Sequence, residues 1–260
     1  MTAVSLNMSY RRERRIVLAG LAGITVLSWV YLLAMPMAEM PVADMAMPQH
    51  QPWDAAHFTL MLLMWVVMMV AMMVPTASPM ILAFNSFHRR RVNQGNTVLP
   101  TAIFLAAYVL VWSTFSLGAV LAQWGLHEAG LLSPMMVTTS PVLGGALLMI
   151  AGGYQWSGLK DACLNKCRTP LGFLLSEWRE GRLGVLIMGL RHAMYCTGCC
   201  WALMALLFVG GVMNLLWVSA IAAFVLVEKI VPPRFHMERI AGGCLIIWGG
   251  YVLYAAILQI

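Results

Sequence analysis

Long apolar stretches alternate with short polar ones along the chain, and the apolar stretches outrun the buried helices of a soluble domain. A bilayer core of about 30 Å takes about 20 residues of helix to cross. Seven segments meet that length, at 16–35, 58–84, 98–124, 134–158, 184–210, 212–230 and 240–259. In lipid only helices and closed barrels satisfy their own backbone, so the expected fold is all-α, a polytopic membrane bundle of about seven transmembrane helices. The longest stretch between spans is 159–183, too short for a soluble domain, and no repeat is evident. One domain over 1–260 is expected, with an N-terminal span and outer loop in 1–57 and a bundle in 58–260.

Composition agrees: 61% of the 260 residues are apolar and 10% are charged. The net charge of +6 raises nucleic acid as a partner, but the basic residues sit in alternate loops and so set topology. Arg11, Arg12, Arg14 and Arg15, then "HRRR" (88–91), "LKDACLNKCR", "EWREGR" and "EKIVPPRFHMER" mark the cytoplasmic side. The opposite loops carry Glu39, Asp44, Asp54 and Glu128 without Lys or Arg, which puts the N-terminus inside and the C-terminus outside. Span one resembles a signal peptide in its "RRERR" flank, but about 19 apolar residues exceed the usual signal core, and it is read as retained. The glycine pairs 144/145, 152/153, 242/243 and 249/250 predict close helix packing. Pro75 and Pro79 predict a kink or stop in span two.

Four features suggest chemistry. The first is "RHAMYCTGCCWALM" (191–204), inside the fifth span. At about 100° per residue, His192, Cys196, Cys199 and Cys200 share an arc of about 100°, so one ligand could touch all four. Cysteine is also a small buried hydrophobe, and Arg191 and His192 can snorkel. Three thiols and a histidine at mid-bilayer depth nevertheless point to metal or redox chemistry, with thiolates selecting soft ions such as Cu(I). Arg191 is expected to balance thiolate charge. Disulfides within the helix are disfavoured, because Cα atoms one turn apart lie near the limit of disulfide reach.

The second feature is the entry of span two, where Asp54, His57, Met61, Met64, Met68 and Met72 line one face. Asp54 and His57 are candidate metal ligands; for the deeper methionines, core packing and contact with Cu(I) both stay open. The third is the outer loop "MPMAEMPVADMAMPQHQ" (35–51), whose methionines and His50 suit either the membrane surface or copper capture. His127 and Glu128 end span three on the same side, and with Asp54 and His57 would suit Cu(II), zinc or iron. The fourth is Cys163 and Cys167, four apart in a cytoplasmic segment; a helix puts both thiols on one side, though C-x₃-C alone is weak.

The strings "YQWSGLKDACLNKCRTP" (154–170), "GLRHAMYCTGCCWALM" (189–204), "FVGGVMNLLWVSAIAAFVLVEKIVP" (208–232) and "MWVVMMVAMMVPTASPM" (64–80) resemble the bacterial family of predicted metal-binding integral membrane proteins, a family of unknown function. The resemblance covers some four fifths of the chain. It implies a multi-span metal-binding protein and marks Cys163, Cys167, His192, Cys196, Cys199 and Cys200, with Lys160, Glu228 and Lys229 as charged members. The Met-rich loop lies outside it.

Copper handling is thus the leading reading: soft ligands gathered outside, passed down the Met face of span two to the cysteines, and inward to Cys163 and Cys167. Copper is the expected metal, with zinc and iron as alternatives. The competing readings are a copper- or iron-dependent membrane oxygenase built on Asp54, His57 and His127, a thiol oxidoreductase, and an accessory subunit with packing cysteines. The thiol oxidoreductase would need its cysteines to meet between helices. The expected surroundings are the lipid bilayer of a bacterial inner membrane, with a periplasmic metal donor or membrane-complex partner and no nucleic acid.

Overall fold

The computed structural model describes residues 3–34, 54–91, 97–133 and 136–258, with side chains from Arg12 onward. The outer loop 35–51, with His50, lies outside the described residues. Helices follow in the order α1 (Ala3–Ala34), α2 (Ala55–Arg91), α3 (Val98–Glu128), α4 (Pro141–Gln155), α5 (Gly158–Arg168), α6 (Pro170–Glu177), α7 (Gly181–Ala205), α8 (Leu207–Gly210), α9 (Leu215–Ile230) and α10 (Met237–Leu258). No strand occurs among the described residues, only an isolated bridge between Leu132 and Thr138.

Five helical stretches are long and apolar enough to cross a membrane: Arg12–Ala34, Ala55–Arg91, Val98–Glu128, Gly181–Gly210 and Pro233–Leu258. Their outward faces are apolar too, with Leu27, Leu33, Leu183 and Ile247 each exposed. α4 and α9 occupy the places expected for spans four and six, but hold 15 and 16 residues. Span four starts later than its hydropathy predicts for a local reason. Residues 136–139 turn back on Leu131–Ser133, Thr138 N–H donates to the Phe208 carbonyl at 2.9 Å, and the helix begins only at Ser140–Pro141. Ser140 Oγ accepts from the Leu143 N–H and Pro141 takes the first turn, where no N–H is needed.

α2 is the central element. It runs unbroken through Pro75 and Pro79, so neither proline ends it. Pro75 has no N–H for the Ala71 carbonyl, and that acceptor takes the Trp29 indole N–H from α1 instead, at 3.2 Å. The C-terminal end of α2 is clamped by Glu13 of α1, which accepts from Arg89 at 3.1 Å and from Thr97 Oγ1 at 2.6 Å, while Asn85 donates to Thr97 and Thr101. The core between α2, α3 and α7 is built from Met64, Trp65, Met68, Phe84, Phe104, Trp112 and Met188, all buried.

Two of the helix contacts depend on missing side chains. α3 and α7 meet at Gly189, where a Cβ would lie 2.7 Å from both the Phe104 carbonyl and the Ala107 Cβ. α4 and α10 cross antiparallel where Gly145 faces Gly249 and Gly152 faces Gly242. These are members of the glycine pairs singled out in the sequence, and they pack as expected.

Gly152→Ala puts a Cβ 2.8 Å from the Gly242 carbonyl. It should cost about 1–3 kcal/mol, read as a lower unfolding midpoint in detergent. Gly153→Ala, with nothing within 4 Å, should leave the midpoint unchanged or slightly raised.

Candidate metal centre

The polar interior gathers around the middle of α7. His192, Cys196, Cys199 and Cys200 are all buried, as their shared arc predicts. The Cys199 and Cys200 thiols both hydrogen-bond to the Cys196 carbonyl, at 3.1 and 3.0 Å, which holds the three sulfurs on one side of the helix.

The sequence pattern does not place α5. This helix is short and amphipathic, capped by Ser157, whose Oγ accepts from the Lys160 N–H, and carries Asp161 in its first turn and Lys166 and Arg168 in its last. Cys163 and Cys167 are expected to stand apart in a cytoplasmic segment. Instead α5 packs lengthwise on α7. Gly198 makes the approach possible: Cys163 Sγ lies 2.9 Å from where a Cβ would stand. Cys167 lies one turn beyond Cys163 on α5, and Lys160 of the same helix donates to the Cys199 carbonyl of α7. The thiols of α5 are thus carried on a helix packed against the one that bears the three buried α7 thiols. Burial and the neighbouring Cys199 push the Cys163 thiol above its ordinary value.

α9 supplies the charge. Lys229 donates to Cys196 Sγ at 2.9 Å and to Thr76 Oγ1 of α2 at 2.9 Å. Tyr108 of α3 shares a 3.0 Å hydrogen bond with the same sulfur and donates to the Met73 carbonyl at 3.1 Å. On the other side of α7, the buried Lys160 ammonium donates to the Cys199 carbonyl at 3.0 Å and pairs with Glu228 at 2.8 Å. Arg168 donates to the Glu228 carbonyl at 2.9 Å and pairs with Glu238 at 3.1 Å. Arg191, expected to balance the thiols, pairs instead with Glu177 at the exposed edge. The cause is its position: Arg191 stands more than a full turn before Cys196, where a long side chain reaches the rim, whereas Lys229 enters laterally from α9.

His192 is packed between Phe104, Tyr108 and Phe173, with ring centroids 5.9, 5.8 and 5.5 Å away. Its Nδ1 is buried with no hydrogen-bond partner among the described residues. Met61, Met64, Met68 and Met72 are buried along α2. Met61 sulfur accepts from Gln123 at 3.7 Å, and Gln123 in turn accepts from the Trp65 indole at 2.7 Å and donates to Met136 sulfur at 3.0 Å.

At the start of α2 Asp54 Oδ1 accepts the His57 backbone N–H at 2.7 Å and caps the helix. His57 lies half-buried in the first turn of α2, and His127 lies in the last turn of α3. Among the described residues, no three His, Cys, Asp or Glu side chains are already arranged as a metal-holding group. Cys196 Sγ is taken up by Tyr108 and Lys229, and the Cys199 and Cys200 thiols by the Cys196 carbonyl. Hydropathy and spacing mark neither Tyr108 nor Thr76 as part of this centre. A tyrosine on the buried face of an apolar helix, needing a partner for its hydroxyl, is the signal that could have found Tyr108.

The described residues thus form a helical bundle with five stretches of membrane-crossing length and three buried cysteines flanked by two buried lysines. Residues 62–252 match the family described as PpoB2, copper chaperone, and the chain belongs to that family. The match is thus copper-related, under a different label from the family that the sequence strings resemble. Neither curated proteins nor solved structures give a match to this chain.

The buried Lys160–Glu228 pair should be sensitive to removal of one partner. Lys160→Met should cost about 3–5 kcal/mol in detergent unfolding, because Glu228 is left buried without its cation. Adding Glu228→Gln should recover much of that loss; strictly additive effects would mean that the two groups do not compensate each other.

Proposed function

We propose that the chain is a copper-handling protein of the bacterial inner membrane that binds Cu(I) through the thiols of Cys196, Cys199, Cys200 and Cys167. Copper is the cargo in this reading. The observation that carries it is the buried face of three α7 thiols, with the thiol-bearing helix α5 packed on α7 and a buried ammonium on Cys196. Thiolates are the soft donors that select Cu(I) over harder ions. Two thiolates holding Cu(I) carry one net negative charge, and burying that charge requires a counter-ion, which Lys229 supplies. The orphaned Nδ1 of His192 offers a nitrogen donor one turn away. Cys163, against Gly198, extends the sulfur path to the edge of the cluster.

In this reading α4 and α9 complete seven crossings, with the arginine-rich loops on the cytoplasmic side. The buried methionines Met61, Met64 and Met68, together with Asp54, His57 and His127, form the outer approach to the thiols. The 35–51 loop would collect copper from a periplasmic donor, and a membrane-complex partner would receive it. The family description, copper chaperone, supports delivery over storage.

Elemental analysis of the protein purified in detergent, with X-ray absorption at the copper edge, should give copper with sulfur neighbours. Replacing Cys196, Cys199 and Cys200 together by Ser should remove most of the tightly bound copper, and an unchanged stoichiometry would reject the thiol site. Separately, His57→Ala should slow loading of copper from the outer side while leaving a thiol site filled with Cu(I) intact. Loss of both together would mean that the outer and central ligands form one site.

A further inference from the structure

A second group of soft atoms lies away from the thiols, where α2 begins and α3 ends. Gln123 of α3 is buried there, and its amide is held from both sides. Its Oε1 accepts the Trp65 indole N–H at 2.7 Å. With that oxygen taken, its Nε2 faces sulfur, donating to Met136 Sδ at 3.0 Å and to Met61 Sδ at 3.7 Å. A buried amide is costly unless it is well bonded, and a thioether is a weak acceptor, so core packing alone gives no reason for this trio.

The second sulfur is brought in at a cost to the backbone. Met136 has φ 56°, in the left-handed region that residues other than glycine rarely take. Its neighbours fix it there. Met136 N–H donates to the Ser133 carbonyl at 2.8 Å, Ser133 N–H to the Val137 carbonyl at 2.9 Å, and Thr138 N–H to the Phe208 carbonyl at 2.9 Å. Glycine would adopt this conformation freely but would bring no sulfur. Backbone strain of this kind gathers where a side chain has a task, and here the strained residue delivers a thioether to a buried donor.

We propose that Met61 and Met136 form a second Cu(I) site, separate from the thiols, in which the ion displaces the Gln123 N–H from the two sulfurs. The proposal rests on the copper reading above and gives Met61 of its outer approach a defined partner. Thioethers are soft and uncharged, so the pair suits Cu(I) and leaves harder ions to nitrogen and oxygen. The positive end of the Gln123 amide already stands where both sulfurs reach it, the position a soft cation would take. Met61 lies one turn beyond His57 and Gln123 one turn before His127, so this pair is the first inward from those histidines. An ion on two neutral donors is held more loosely than one on thiolates, which fits a station that passes its cargo on.

The test uses the full chain with its methionines replaced by selenomethionine, in detergent and under argon, loaded with two equivalents of Cu(I). X-ray absorption at the copper edge then separates selenium neighbours, which methionine supplies, from sulfur neighbours, which cysteine supplies. Wild-type protein should show both. Met136→Leu should lose most of the selenium signal and bind the second Cu(I) at least tenfold more weakly, while its sulfur signal and its copper-free unfolding midpoint stay, which shows that it is folded. Met194→Leu, which removes an exposed methionine of α7, should change neither signal. An undiminished selenium signal in Met136→Leu overturns the proposal, and loss of both signals there overturns the separateness of the two sites. Wild-type copper with sulfur neighbours alone overturns it too and leaves copper handling standing; wild-type protein that binds no copper defeats the copper reading itself.

Discussion

Two lysine ammoniums are buried against the helix turn that carries three cysteine thiols, and the interior is organised around that fact. A buried cation is costly unless each of its protons finds an acceptor. Lys229 uses Cys196 and Thr76, which ties α9 to α7 and α2. Lys160 uses the Cys199 carbonyl and Glu228, which ties α5 to α7 and α9. The short helix α5 therefore lies where its lysine can be satisfied, and its cysteines travel with it. A demand that involves no metal thus assembles the sulfur cluster.

Much of the fold is legible in hydropathy. The long helices stand where apolar length puts them, and the glycines mark the α4–α10 crossing, because both signals are local. The arc of His192, Cys196, Cys199 and Cys200 is equally readable, being a property of one helix. The folding of α5 inward is not, since a polar amphipathic segment between spans looks like any cytoplasmic loop until its buried lysine is paired with Glu228 in a distant helix. Lys229 shows the same limit. Its string is conspicuous, but nothing in periodicity says which neighbour it faces, and Arg191 is the nearer cation along the chain. Asp54, an expected ligand, also caps a helix, a second role that its spacing to His57 allows.

Rigidity follows from how the cluster is held. Tyr108 fixes one sulfur from α3, Lys229 fixes it from α9, and the Cys196 carbonyl fixes two more from within α7. In the proposed copper reading, a metal entering such a site would displace these hydrogen bonds, and its selection would rest on the sulfur donors and the lysine charge beside them.

The indole of Trp29 has a role beyond packing. Pro75 leaves a carbonyl of α2 without its usual donor, and the donor that replaces it comes from α1, a helix that precedes the family-matched residues. The proline and the tryptophan therefore form one device divided between two parts of the chain. α1 belongs to the hydrogen-bond accounting of the bundle, and a grafted anchor of equal length and apolarity would not replace it unless it brought an N–H to the same height.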